Sequence, residues 1–431
     1  MKKYLLFLLV LPLVILSVRC GRIDEEDDGN NDFKPISLTT KQTGYVESGN
    51  RFAWRFIDGV ADCAALEKKD SWFVSPLSLQ IDLGMLLNGA NGETADEICR
   101  ALGYKAGELA EINAWSKLML TELPKMDKKT ELAMANAIFY NKTISLKKPY
   151  RNTVSDAYAA TLEALDFSQS KSVDIINGWC SEQTKGMVPK VIDQISPSYL
   201  AFLINAIYFK SQWTAQFDKN ATVAEAFTTE SGKTVNVPMM KMAGTSFQYG
   251  KKEQYQFIQL PYGNGAFAMT ILLPAKGHTV KDITALLAKE GFSAATVPVE
   301  VDLWLPRFET KYHIKLNDLL ASMGISQAFN PFAADFSALS DTPSYVDFVQ
   351  QDAAIKVNEE GSEAAAVTVI GMRKNTSVGG NPGVVFHADH PFLYLISETS
   401  TGAILFAGQF GVNDITGGDS KMFTCSELRW E

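Results

Sequence analysis

Two segments of this chain, Leu132 to Asn141 (LAMANAIFYN) and Tyr199 to Lys210 (YLAFLINAIYFK), are apolar on both alternating faces. Successive side chains of a strand point to opposite sides of its sheet, so a strand that is apolar on both sides must be covered on both. That requires a broad sheet with a packed layer on each face. Both segments carry Asn-Ala-Ile followed by two aromatics, at Asn136 and Asn205. Their flanks do not match, so the reading is two central strands of one sheet, not an internal duplication.

Further strand signals fall at Phe257 to Leu260, Phe267 to Leu273, Val299 to Leu305 and Val384 to Ile396, outside any βαβ rhythm. Helix signals dominate the first half. Ser75-Pro76 is a favoured cap and first-turn pair, with Leu79, Leu83, Leu86 and Leu87 on one face and Asn88-Gly89 at the end. Thr94-Ala95-Asp96-Glu97 reads as a capping box for a second helix ending at Gly103. No charge block or Pro/Gly/Ser linker interrupts Gly49 to Phe410. At 431 residues and 46% hydrophobic content, the expectation is one large α+β domain with mostly antiparallel sheets.

The N-terminus reads differently. Lys2 and Lys3 precede the apolar run Tyr4 to Val18, which stops at Arg19-Cys20: a secretory signal over 1–19 fits better than a membrane span. Cys20 followed by Asp24-Glu25-Glu26-Asp27-Asp28 resembles the lipid-modified cysteine and acidic tether of bacterial surface lipoproteins. Arg19 leaves a plain signal-peptidase cut as the alternative. Residues 20–45 are expected to be a polar linker, 46–412 the folded domain and 413–431 a tail. Removing Lys2, Lys3 and Arg19 from the formal charge of −9 leaves −12, which disfavours a nucleic-acid partner. Cys63, Cys99, Cys180 and Cys425 match neither a disulfide framework nor a zinc site, and buried free thiols are expected, with Cys425 left open.

Catalytic chemistry finds no nominee. His278, His313, His387 and His390 are in no metal-ligand spacing, and His387 and His390, three apart in a strand-like segment, would point to opposite faces. Gly232-Lys233-Thr234 lacks the first glycine of a phosphate loop and reads as a hairpin turn. Ser145 with Lys148, and Ser168 with Lys171, have a serine–lysine spacing without any supporting motif. No metal and no cofactor are expected.

What remains is Glu359-Glu360-Gly361-Ser362-Glu363-Ala364-Ala365-Ala366, where helix-favouring acids and alanines run into a β-branched stretch. It resembles the hinge of the serpins. So do, in order, Phe73-Val74-Ser75-Pro76-Leu77-Ser78, Asn88-Gly89-Ala90-Asn91-Gly92-Glu93-Thr94, Asn205-Ala206-Ile207-Tyr208-Phe209-Lys210 with Trp213, Val237-Pro238-Met239-Met240 and His390-Pro391-Phe392-Leu393. The resemblance implies the serpin fold, with a large central sheet, further sheets and about nine helices. It also implies a suicide substrate: a protease attacks an exposed reactive centre loop, and the cleaved loop inserts into the central sheet and traps the acyl-enzyme. From Ser362, one face carries Ser362, Ala364, Ala366, Thr368 and Ile370, small at its leading end. Glu363 falls on the other face. The non-inhibitory alternative, a binding protein whose loop is only cleaved, would accommodate a Pro or charge at Ser362 or Ala364, and neither occurs.

The resemblance places the scissile bond at Asn375-Thr376. Lys374 and Arg373 are what a trypsin-like protease would choose, since its pocket pairs a cation with a carboxylate, and Met372 also stays open. Serine proteases are the implied partners, with cysteine proteases also open. A monomer is expected, secreted and anchored at the outer membrane through Cys20. Ser75, Ser78 and Asn205 align with a polar cluster under the sheet, Gln351 replacing the family's usual histidine. Trp213 aligns with the aromatic where the loop enters. Arg307 aligns with a base expected to pair with Glu359 and hold the hinge outside the sheet.

Overall fold

The structure, a computed structural model, describes residues 31–293, 295–362 and 383–412. The signal, Cys20, Glu363 to Ala366, Met372, Arg373, Lys374, Asn375, Thr376 and the tail with Cys425 lie outside them.

The two doubly apolar segments form β2 (Glu131–Asn141) and β4 (Ala201–Gln212), antiparallel neighbours in a six-stranded sheet. That sheet continues through β3 (Thr161–Leu165) on one side, and through β12 (Gly361–Ser362), β11 (Gln350–Val357) and β10 (Phe308–Lys315) on the other. Its two faces are covered separately, as the pattern requires. Helix α6 (Lys171–Gln183) closes a small apolar cluster of Phe139, Phe167, Ile176 and Phe202 over one face. Helix α2 (Pro76–Leu87) packs on the other, within the main core.

The second, nine-stranded sheet runs β1 (Trp72–Val74), β15 (Ile404–Phe410), β14 (Phe392–Glu398), β8 (Phe267–Pro274), β7 (Tyr255–Tyr262), β6 (Thr234–Lys251), β9 (Val297–Pro306) and β13 (Val384–His387), with β5 (Val223–Thr228) paired to β6. All pairs are antiparallel except β2–β3 and β9–β13. The β5–β6 turn holds Gly232 at φ +79°, so Gly232-Lys233-Thr234 is a hairpin. Together with α1 (Thr40–Leu66), α3 (Gly92–Leu102), α4 (Leu109–Glu122), α5 (Lys148–Ala157), α7 (Val280–Glu290) and α8 (Asn317–Ser322), the described residues hold eight α-helices.

Local expectations meet several corrections. Helix α1 starts at Thr40, inside the stretch read as linker, because Thr39 and Gln42 form a capping box. Helix α3 starts at Gly92, ahead of the expected box. Thr94 accepts from Asp335 N instead (2.9 Å), and Glu97 accepts from Ser326 N and Gln327 N (2.7 Å each), so tertiary contacts take both polar groups. Gly103 does end it, at φ +71°. Val384 to Ile396 is two strands: Pro391 cannot continue a ladder, and β13 and β14 sit in separate positions of one sheet.

Candidate functional site: the hinge and the gap beneath it

Strand β11 ends in a side-chain-stabilised turn. Asn358 Oδ1 accepts from Glu360 N (3.0 Å) and Gly361 N (3.2 Å), and Asn358 N donates to Gly361 O (2.9 Å). Asparagine mimics a backbone turn in this way, and here it reverses the chain. The two residues that follow enter the sheet as β12: Gly361 opposes Gln212 and Ser362 opposes Ser211 on β4, while Ser362 opposes Val357 on β11. A Cβ on Gly361 would run into the Ser211 carbonyl oxygen and lie 2.7 Å from Gln212 Cα, so only glycine fits. Ser362 is buried, its hydroxyl 2.6 Å from that of Tyr262. Burial pushes the Tyr262 phenol far up, so it stays protonated and can donate.

Glu359 and Glu360, the hinge carboxylates among the described residues, are both buried and both partnered, as buried charges must be. Glu359 Oε1 accepts from Thr222 Oγ1 (2.7 Å) and lies 3.3 Å from Arg307 Nη1, whose side chain is half exposed. Glu360 pairs with Lys219. The backbone is held too: Phe217 N donates to Glu359 O (2.9 Å) and Trp213 N to Glu360 O (2.8 Å). The Trp213 indole donates to Asn358 O (2.9 Å) and stacks on Tyr262 at 4.4 Å between centroids. Arg307 and Glu359 therefore meet, beside a turn whose next two residues, Gly361 and Ser362, are in the sheet. The expectation that Glu359 to Thr368 stays outside the sheet is corrected at its start: Glu359 and Glu360 form the turn and Gly361 and Ser362 are already in the sheet, while Glu363 onward lies outside the described residues.

Below Ser362 the arrangement changes. Among the described residues, β12 is the sole partner on this edge of both β4 and β11, so 201–210 and 350–356 face one another unpaired. The space between them is a cavity of about 390 Å³. It is crossed at mid-height by polar groups fixed from α2. Ser78 Oγ donates to Asn205 Oδ1, and Asn205 Nδ2 donates to Asn136 Oδ1 (2.7 Å), which lies directly opposite on β2. Gln351 accepts from Ser75 N (2.8 Å) and donates to Ser75 O (2.9 Å), while Ser75 Oγ donates to Leu405 O (2.7 Å). The amide thus uses both its donor and its acceptor on one residue. Asn136, Tyr262, Thr222 and Lys219 were not singled out from sequence. The repeated Asn-Ala-Ile was a signal for Asn136, since both asparagines sit at one register position; the others had none.

The remaining chemistry is unremarkable. Ser168 spends its hydroxyl on Asp166 (2.6 Å) and Lys171 opens α6. His387 ends β13, whereas His390 lies in the connection to β14 and sits 2.7 Å from Asp389 and 3.0 Å from Pro274 O, so the strand-like spacing expected for them is not kept. No cluster of metal-ligating residues occurs among the described residues. Cys99 and Cys180 are free thiols, but the fully buried Cys63 is disulfide-bonded, against the expectation of free thiols. Beside the gap, His313 Nδ1 lies 2.7 Å from Asp352 Oδ1, and this bond raises the imidazole above its usual range.

Comparison with known proteins accords with this geometry. Residues 47–412 match the family described as Serpin (serine protease inhibitor). The chain is 33% identical over 367 residues to Serpin B11 of Homo sapiens, covering 79% of this chain and 93% of that one. It is 33% identical over 343 residues to Serine protease inhibitor 42Dd of Drosophila melanogaster, covering 78% and 90%. Among solved structures, that of a thermophilic serpin, Tengpin, in the native state superposes with a TM-score of 0.75 at 26% identity, covering 89% of this chain and 97% of that one. The fold, the family match over most of the chain and these relatives lead to one conclusion: the chain belongs to the serpin family of serine protease inhibitors, and is not an enzyme.

Proposed function

We propose that this chain is an inhibitory serpin, which traps serine endopeptidases, trypsin-like ones first, by inserting its cleaved loop between β4 and β11. The observation that carries this is the seated β12 with, among the described residues, an unpaired gap between β4 and β11 continuing directly beneath it. Insertion then needs no new opening, only extension of a register already begun.

That register is specific. Continued without a shift, each further loop residue meets the next residue down β4 and β11. Ala364 falls between Phe209 and Ile355, and Ala366 between Ile207 and Ala353, where bulk would overpack. Thr368 falls between Asn205 and Gln351, a polar residue arriving at the polar cluster. Glu363, on the opposite face, falls between Lys210 and Lys356. Each of these four positions would match its neighbours in size or charge, which favours an inserting loop over one that is merely cut.

Arg373 and Lys374 favour a trypsin-like target, with Asn375-Thr376 the bond implied by family counting and Met372 also open. A disulfide at Cys63 supports an oxidising, extracytoplasmic location. Lipid attachment at Cys20 and a monomeric state complete the proposal. The test is incubation of the purified domain with trypsin-like, elastase-like and subtilisin-like proteases. A denaturant-stable complex is expected; cleavage with active protease released each time would refute inhibition and leave the non-inhibitory reading. Mass spectrometry of the released peptide locates the bond, and a cut outside Ile370 to Ser377 would refute the register. The mass of the mature N-terminus decides lipidation.

A further inference from the structure

The chain has five cysteines. Cys99 and Cys180 are free thiols and Cys63 is disulfide-bonded, so the partner of Cys63 is Cys20 or Cys425. A disulfide needs its two Cα atoms within about 7 Å, which makes the choice a question of reach. Cys63 lies in the last turn of α1, and the chain folds back on that turn: Glu67 N donates to Cys63 O (3.0 Å) and Lys69 N to Ala64 O (2.8 Å). The end of β15 arrives at the same place. Gly411 N and Val412 N donate to Ser71 Oγ, two residues past Lys69, at 3.0 and 3.2 Å, and a Cβ on Gly411 would lie 2.4 Å from Asp70 O. Cys425 follows Val412 by 13 residues, a span of up to about 40 Å, so it reaches Cys63 with slack.

The other candidate starts from the wrong end of α1. Asn50 marks that end, donating to Gly402 O (2.8 Å) and accepting from Ile404 N (3.2 Å), and the helix carries Cys63 roughly 20 Å away from it. The residues leading into α1 stay there too: Ile36 N donates to Ser400 Oγ (3.1 Å), and Asn31 O accepts from Asn264 Nδ2 (3.0 Å), beside the Gly265 that accepts from Thr399 Oγ1 (2.8 Å). The 11 residues from Asn31 back to Cys20 would have to run close to full extension along the helix.

We propose that Cys63 is bonded to Cys425, so that the C-terminal tail is fastened covalently to α1. The bond forms by exchange with a small-molecule or protein disulfide: two protons and two electrons leave the Cys63 and Cys425 thiols, and the S–S bond of the exchange partner breaks to give two thiols. Its consequence appears when the reactive loop is cut. The part beyond the cut, with β13, β14 and β15, becomes a separate chain that pairs with the body through β9, β8 and β1. Denaturant dissolves such pairing, but the disulfide keeps this fragment attached. The peptide that locates the scissile bond is then released only after reduction, and Cys20 is left to the lipid proposed for it.

The test uses the full mature chain, exported to an oxidising compartment, alkylated without reduction and digested with trypsin for mass spectrometry. The expected species is the peptide Phe56 to Lys68 joined to the peptide Met422 to Arg429, with Cys99 and Cys180 alkylated. Cys63 joined to Cys20, or alkylation at Cys63 or Cys425, would overturn the proposal. A second arm cuts the reactive loop with limiting subtilisin and compares denaturing gels. Wild type should stay one species until reductant is added, whereas Cys425→Ser should lose its C-terminal fragment with or without reductant. Loss of the fragment from unreduced wild type would also overturn the proposal, and so would its retention in unreduced Cys425→Ser. Both arms need only a folded, cut or uncut chain, so failure to trap any protease would count against the inhibitory reading and leave this bond untouched.

Discussion

Gly361→Ala is the sharpest perturbation of the gate. The added methyl carbon would overlap the Ser211 carbonyl and crowd Gln212 Cα at 2.7 Å. Both are backbone atoms of a central strand, so neither can swing aside as a flexible side chain would. Strand β4 is pinned on its far edge by its whole ladder with β2. The strain is therefore relieved by β12 leaving the sheet. Its departure frees the bond between Ser362 and Tyr262, leaving a buried phenol without a partner, at about 1–2 kcal/mol. Overpacking while β12 stays seated costs about 1–3 kcal/mol. Taking roughly 3 kcal/mol for the seated state and tenfold per 1.4 kcal/mol, opening of β12 should rise by about a hundredfold. Hydrogen exchange of the peptide spanning Glu359 to Ser362 measures this directly. Trp213, stacked on Tyr262 and bonded to Asn358, supplies a second reading through its fluorescence. Unchanged exchange and unchanged emission in a folded Gly361→Ala protein would refute the claim that this glycine permits the seating.

Other outcomes follow from the same geometry. Ser362→Arg puts a long cation where a buried hydroxyl meets Tyr262, so it should unseat β12 in the intact protein as well as convert inhibitor to substrate; stable complex formed at wild-type yield would contradict this. Loop-cut protein should melt higher than intact protein, because insertion completes a ladder that stands half open, and an equal or lower Tm would contradict insertion. His313 is raised above its ordinary value by Asp352, so the pair adds stability below the unfolded imidazole pKa of about 6.5 and loses it as pH rises through the folded value. His313→Gln should therefore lower Tm at pH 6 and do so much less at pH 9; a loss independent of pH would point to packing alone.

The sheet was legible because its central strands carry an unusual burden. Residues apolar on both faces, as at Phe139 and Phe202 on one side and Ile138 and Phe209 on the other, leave little choice but a covered position. The start of α2 was legible from Ser75-Pro76 because a cap is a local event, and Ser75 does accept from Ser78 N. The start of α3 was not: Thr94 and Glu97 have the spacing of a cap, but residues more than two hundred positions away claim their oxygens. The seating of Gly361 and Ser362 was hidden for the same reason. Hinge composition shows that both states are tolerable, while the choice of state rests on Asn358, Thr222, Lys219 and Tyr262, which sequence spacing does not bring together.

The role of α2 becomes clear only when the two sides of the gap are considered together. Its first turn holds β4 through Ser78 and Asn205, and holds β11 through Ser75 and Gln351. The two serines are three residues apart on a rigid element, so the first turn of α2 fixes the distance between two strands that are unpaired with each other. An open ladder would otherwise close to satisfy its own backbone. Gln351→Ala removes the tie to β11 and leaves the Ser75 amide without its acceptor, while Ser75 O keeps only its bond from Leu79 N (3.2 Å), so β11 should lose its fixed distance from β4. If α2 is the spacer, the variant should show faster exchange along 350–356 with little change along 131–141, since β2 keeps its full ladder with β4. Equal acceleration in both strands would instead mean that the whole sheet had loosened, and the spacer role would fall.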